Sequence, residues 1–171
     1  MTSGPNIGHG LDVSFGLLSL HGVAKPSYRA FQLLHRLGTE RLSVEGSHPT
    51  VDAWVVRREH GATVLLTNHA LPRHPIGTES VKITLRNAAA PAKAGVTRID
   101  QHHANAKQRW QDLGEPEYLD AAQLTELNDA SRLRRAEQPL PPNDGKVELE
   151  VTMPPLSVAS VTLHFPAGPD A

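Results

Sequence analysis

At 171 residues the chain is long enough for one domain with its own core and too short for two ordinary ones. Its 17 Lys+Arg against 18 Asp+Glu give a formal net charge of -1, so no overall field draws nucleic acid or an anionic membrane. The absence of cysteine removes disulfides, thiol catalysis and thiolate metal sites together.

No apolar run approaches the roughly 18 residues of a membrane span. The opening "MTSGPNIGHG" has neither the basic start nor the apolar core of a signal peptide. A soluble chain is expected, and the residues are compatible with the cytoplasm and with secretion alike.

Residues 1–14 are rich in Gly, Pro, Asn and Ser and carry no period, which reads as a loop or frayed terminus. "FGLLSL" follows as a short extended or turn-like apolar run. Then comes a helix with start and stop signals. Pro26 suits the first helical position, Ala30, Leu33, Leu34 and Leu37 recur at i, i+3, i+4 and i+7, Tyr28 and Phe31 widen the stripe, and Gly38 is placed to end it in a left-handed conformation. A helix this short is marginal alone and needs a partner for its apolar side.

After Gly38 the period shortens to two. "VDAWVVRRE" and "ATVLLTNHA" read as a hairpin turning at His60 and Gly61, with Gly61 available for positive φ. "SVKITLRN", "GVTRID", "KVELEVTM" and "SVASVTLHF" alternate in the same way. Six such strands predict a mainly β chain built as an antiparallel β-sandwich.

Helical material interrupts that pattern at about 104–136. "NAKQRWQDLG" sets Trp110 and Leu113 three apart and ends on Gly114. "LDAAQLTELNDASRLRR" opens on a capping box of Asp120 with Gln123 and carries Leu124, Leu127, Ala130 and Leu133 on one face. Arg132, Arg134 and Arg135 read as the solvated end of that helix, where cations complement the dipole.

Two stretches carry a family resemblance. "FGLLSLHGVAKPSYRAFQLLHRLG" resembles the segment that closes the catalytic barrel in glycoside hydrolase family 39, the β-xylosidases and α-L-iduronidases, where Gly-Leu-Leu leads through Lys25, Pro26 and an aromatic, Tyr28, to the barrel's last helix. "TRIDQHHANAKQRWQDLGEPEYLDAAQLTELNDASRL" resembles the C-terminal region of the same family, through Arg98, Asp100, His103, Asn105, Trp110 and the turn Gly114, Pro116, Tyr118. "PPLSVASVTLHF" resembles its closing strand.

The resemblance implies residues 15–38 as a remnant of the last loop and helix of a (β/α)8 barrel, 39–166 as the C-terminal sandwich, and 167–171 as a tail. It implies a partner, the remainder of the barrel, and a face at residues 26–37 through which copies could also associate.

A retaining glycosidase needs two carboxyl groups about 5 to 5.5 Å apart. The family sets its acid/base Glu after an Asn, and no Asn-Glu pair occurs here. Asp12, Glu59, Asp100, Glu115, Glu117, Asp120, Glu148 and Glu150 fall in no catalytic motif, so no catalytic residue is assigned. His102 and His103 with Asp100 lack a third ligand at metal-site spacing, and adjacent His on extended chain face opposite ways, so His103 and Asn105 are expected to bond backbone in a structural loop. Ser131 and Ser157 lie in no nucleophile elbow. Neither metal nor cofactor is called for.

Trp54 and Trp110 are expected to pack in the core or between domains, and Tyr118 is the least committed aromatic. These residues favour a noncatalytic structural portion of a family 39 enzyme. The alternative is an independent carbohydrate-binding or protein-interaction sandwich, which needs an exposed aromatic row on one sheet. Hydrolysis by these 171 residues themselves would need a carboxylate pair that the motifs do not supply.

Overall fold

The computed structural model describes residues 16–86, 93–138, 140 and 147–165. Eight strands and three helices follow in the order α1 (Pro26–His35), β1 (Glu40–Leu42), β2 (Val51–Arg58), β3 (Gly61–Asn68), β4 (Glu79–Leu85), β5 (Lys93–Ile99), α2 (Ala106–Asp112), α3 (Ala121–Ala130), β6 (Arg135–Gln138), β7 (Val147–Met153) and β8 (Ser157–His164). The chain is mainly β and every strand pairing is antiparallel.

One sheet has six strands in the order β1-β2-β3-β8-β5-β6, and the other pairs β4 with β7. They face each other across a core of Val64, Leu66, Val96, Leu149, Val151, Met153, Val161 and Leu163, with Val81, Ile83 and Leu85 of β4 packed against it. The alternation along β7, with Val147, Leu149, Val151 and Met153 buried, is the period-two signature of a sheet with one dry face. Its outward Glu148 pairs with Lys82 at 2.7 Å, and Glu150 accepts from Ser80 Oγ, so these two acids are occupied on the surface of the small sheet.

The central strands of the large sheet are covered on both sides. On β3, Val64 and Leu66 face the small sheet, while Leu65 belongs to a second cluster with Leu33 and Ile99 on the opposite face. That opposite face is where α1 lies. A third cluster, Val23, Ala106, Trp110 and Leu127, joins the segment before α1 to the α2–α3 pair.

All six sequence-predicted strands are present. The two additional ones, β1 with three residues and β6 with four, are short, polar edge strands. They carry too few apolar positions to show a period, and short charged edges of this kind discourage pairing with other chains. The predicted helices start where expected. The capping box at Asp120 and Gln123 is formed with bonds of 2.8 and 3.1 Å.

Three expectations are corrected. The hairpin turns at Glu59 and His60, and Gly61 is the first residue of β3, paired with Arg58. Gly38 and Gly61 serve close backbone approach instead of positive φ: a Cβ would stand 2.7 Å from the Arg57 carbonyl oxygen at Gly38 and 2.0 Å from that of Leu163 at Gly61. The third helix ends at Ala130, so Arg132 and Arg134 lie beyond it and Arg135 opens β6. A side-chain pattern cannot separate a helix's last turn from a polar strand that follows at once.

Asn68 ties the two sheets together at one end. It is fully buried, and its Nδ2 donates to the carbonyls of Gly77, Met153 and Pro154 at 2.9, 2.9 and 3.1 Å. Replacing it by Ala removes the donor that joins buried Met153 to the Gly77 and Pro154 carbonyls across the sheets, so Asn68→Ala is expected to lose about 2 kcal/mol, read as a lower urea midpoint at unchanged slope.

Candidate domain interface and motif loop

The segment leading into α1 folds back on itself as a tight turn. Leu18 bridges Ala24, Ser19 N–H donates to Val23 O at 2.8 Å, and Lys25 N–H donates to Leu17 O at 2.9 Å. The Ser19 hydroxyl accepts from Val23 N–H at 3.0 Å. This geometry drives Val23, 0% exposed, between the helices α2 and α3.

Lys25 is then the extended residue before the helix and Pro26 is its first residue, where the missing N–H costs nothing. Ala30 and Leu33 of α1, with Leu37 just past its end, turn toward Leu65, Ile99, Leu133 and Val158 of the sheet side. Leu33 is 6% exposed.

Arg29 locks the helix in place. Its Nε donates to Ser131 O at 2.7 Å, Nη2 reaches Ser131 Oγ at 3.1 Å, and Nη1 reaches Gln32 Oε1 at 3.1 Å. Ser131 is the C-terminal cap residue of α3, so the guanidinium sits at the negative end of that helix. Burial holds the Arg29 guanidinium below its ordinary pKa, with Tyr28 opposing the shift and Arg132 and Arg36 adding to it. At the other end of α1, Arg58 Nη1 donates to the Arg36 carbonyl at 2.8 Å and ties the helix end to β2.

The other side of this segment is apolar and open. Phe31 is 60% exposed and Leu20 is 79% exposed, and Leu17, Leu18, Tyr28 and Leu34 are exposed with them. The expected stripe is therefore split: Ala30, Leu33 and Leu37 dock on the chain's own sheet, while Tyr28, Phe31 and Leu34 do not. Trp54 is also exposed, at 46%, under the Arg41 guanidinium 5.9 Å away, and is not part of the core. It stands opposite Leu65 across the β2–β3 pair, on the face that α1 covers.

The motif loop follows β5. Asp100 is buried, and its Oδ1 accepts from His102 N–H at 2.8 Å and His103 N–H at 2.9 Å. His103 Nδ1 lies 2.8 and 2.9 Å from the two carboxylate oxygens, which places its proton there. Asn105 Nδ2 donates to the Asp100 carbonyl at 3.3 Å, and its Oδ1 caps α2 through Lys107 N–H at 3.0 Å. The expectation of a structural loop holds for Asn105, whereas the His103 ring bonds the carboxylate and not backbone. Among the described residues no three His, Cys, Asp or Glu side chains gather as a metal site.

Trp110 is buried, and its indole N–H donates to Pro116 O at 3.1 Å. Gly114, at φ 83, and Glu115, at φ 56, close α2: Gly114 N–H bonds Gln111 O and Glu115 N–H bonds Trp110 O, a Schellman ending. Tyr118 beyond that turn is 82% exposed. The remaining acids are dispersed. Glu59 lies in the hairpin turn and Asp120 in its cap, while Asp12 falls outside the described residues.

The profile of Glycosyl hydrolases family 39 matches residues 8–148. The chain belongs to that family. A β-xylosidase of Caldicellulosiruptor saccharolyticus is 38% identical over 152 residues, covering 87% of this chain and 31% of its own length. A β-xylosidase of Geobacillus stearothermophilus is 26% identical over 150 residues, covering 87% of this chain and 28% of its own. The chain therefore spans under a third of these curated relatives. The crystal structure of the GH39 enzyme from Xanthomonas axonopodis pv. citri shares the fold, with a TM-score of 0.72 at 20% identity over 92% of this chain and 34% of that one.

The residues that carry the family 39 resemblance fall in two places. Lys25, Pro26 and Tyr28 begin α1, while Arg98, Asp100, His103 and Asn105 surround the loop between β5 and α2, with Trp110, Gly114 and Pro116 at its far end. Sequence reasoning missed Val23, Arg29 and Ser131, which join the two places. The signal for Arg29 is a charged residue beside the buried stripe, which reads as solvated until a helix C-terminus is known to lie opposite.

The two sides of α1 make different predictions. Leu33→Ala is expected to cost about 2 to 5 kcal/mol in denaturant unfolding, as a buried truncation does. Phe31→Ala in the same chain is expected to stay within about 0.5 kcal/mol.

Proposed function

We propose that this chain is the noncatalytic C-terminal β-sandwich portion of a family 39 glycoside hydrolase, in which it supports a (β/α)8 barrel. The parent activity is hydrolysis of β-xylosides or related glycosides by two carboxyl groups. The observation that carries the reading is the split helix: one side of α1 is fixed to the sandwich while Leu17, Leu20, Phe31 and Leu34 stay open on the other. An apolar patch of this kind on a monomer marks an interaction surface.

The two helix faces suit a boundary element between domains. Leu33 holds α1 on the sandwich and Arg29 ties it to the end of α3, and the outward residues then have a fixed position against which a barrel can close. The short span of the chain relative to its β-xylosidase relatives agrees with this division. The chain's acids support it from the chemical side. Asp100 is spent on His103 and loop amides, Asp120 on a helix cap, and Glu148 and Glu150 on surface partners. A retaining mechanism needs one carboxylate free to attack and a second to protonate the leaving group.

An independent glycan-binding sandwich would stack sugars on a row of aromatics. Among the described strands Trp54 is the one aromatic residue, so a row is absent there.

The purified chain is expected to release no chromophore from a chromogenic β-xyloside or α-L-iduronide, while a form extended N-terminally through a barrel is active. Turnover by the 171-residue chain that is abolished by a single carboxylate-to-amide change within it would overturn the reading.

A further inference from the structure

The end of α3 at Ala130 has a consequence for the basic residues that follow it. Arg132 and Arg134 leave the helix and come beside Arg98 from β5 and Arg109 from α2, around an open cavity of about 270 Å³. Three separate parts of the chain thus bring four guanidiniums to one concavity. The lining holds a single carboxylate, Asp112, which accepts from Gln108 Nε2 at 3.1 Å.

The arginines keep donors in reserve. Arg109 uses Nε and Nη2 on Glu126, at 2.9 and 2.5 Å, and retains Nη1. Arg134 uses Nη2 on Asp129 at 2.5 Å, and Arg132 stands 3.9 Å from the same carboxylate. The side chain of half-buried Arg98 has no hydrogen-bond or ion-pair partner among the described residues. His103 also lines the cavity, and its bond to Asp100 through Nδ1 leaves Nε2 for a ligand.

We infer that this cavity is a binding site for a small oxyanion, carboxylate or phosphate, carried on a ligand no larger than about one monosaccharide. Guanidiniums match the planar paired oxygens of a carboxylate or phosphate and bond them more strongly than neutral donors do. The concave shape and the small volume, below the usual range for drug-sized ligands, favour a small molecule over a long polyanion or a flat acidic protein surface. The overall charge of -1 makes the patch local. The inference does not depend on the function proposed above, since it needs only the residues of this chain.

The test is a 1H–15N NMR titration of the 171-residue chain with sodium glucuronate, with inorganic phosphate and with neutral glucose, at constant ionic strength. Saturable shifts confined to residues 98–112 and 130–134 are expected with glucuronate or phosphate and not with glucose, and which of the two ions saturates names the source of the oxyanion. Arg98→Gln is expected to weaken that binding about tenfold. The double variant Arg132→Gln, Arg134→Gln changes exposed residues that the core does not need, and is expected to weaken it similarly. Failure of both ions to saturate, equal response to glucose, shifts spread over all surface cations, or unchanged affinity in the double variant would overturn the inference. The first of these outcomes would also leave an acidic protein surface as the occupant.

Discussion

The placement of one short helix organises this molecule. A ten-residue helix is marginal by itself, and α1 has no cap bond from its Lys25 side chain. It is held from outside itself: Leu33 on the sheet, Val23 wedged between α2 and α3, and Arg29 on the last carbonyl and hydroxyl of α3. Each contact reaches a different part of the chain, so the helix joins the sandwich to the helical insertion. The geometry also fixes which apolar residues stay outside.

That arrangement accounts for the width of the apolar stripe in the sequence. A stripe of Tyr28, Ala30, Phe31, Leu33, Leu34 and Leu37 is wider than one sheet face can cover. The sheet takes Ala30, Leu33 and Leu37, and the remainder forms a surface continuous in sequence with exposed Leu17, Leu18 and Leu20. None of the helices within the described residues is long and apolar enough to span a membrane.

Much of the fold was legible because the relevant signals are local. Period-two alternation in "KVELEVTM", Pro26 at a helix start and the Asp120–Gln123 capping box each act within a few residues, and each appears in the structure where the sequence puts it. The failures come from distance. Trp54 reads as packed in the core or between domains; the strand parity that places Val55 against the inner core turns Trp54 away from that core, and only the strand register reveals this. Arg29 and Ser131 are 102 positions apart, so no window along the chain shows their bond. Gly61 looks like a turn residue until β8 is known to pass over it. In the motif loop, His103 and Asn105 were legible as structural, but the organising group is the Asp100 carboxylate, whose role depends on a buried strand end. Membership of family 39 follows from the same motifs that the fold brings to the two ends of this docking arrangement.

The central claim is that α1 belongs to this module through one face and offers the other. Native-state hydrogen exchange of the isolated chain tests it most directly. The amides of Leu33, Leu34 and His35, which close the helix, are predicted to be protected about as strongly as those of α3, because Leu33 anchors α1 on the sheet and Arg29 ties it to Ser131 at the end of α3. Exchange of these amides at the rate of free peptide, while β3 and β8 remain protected, would contradict the account: the sandwich and insertion would then not hold the helix.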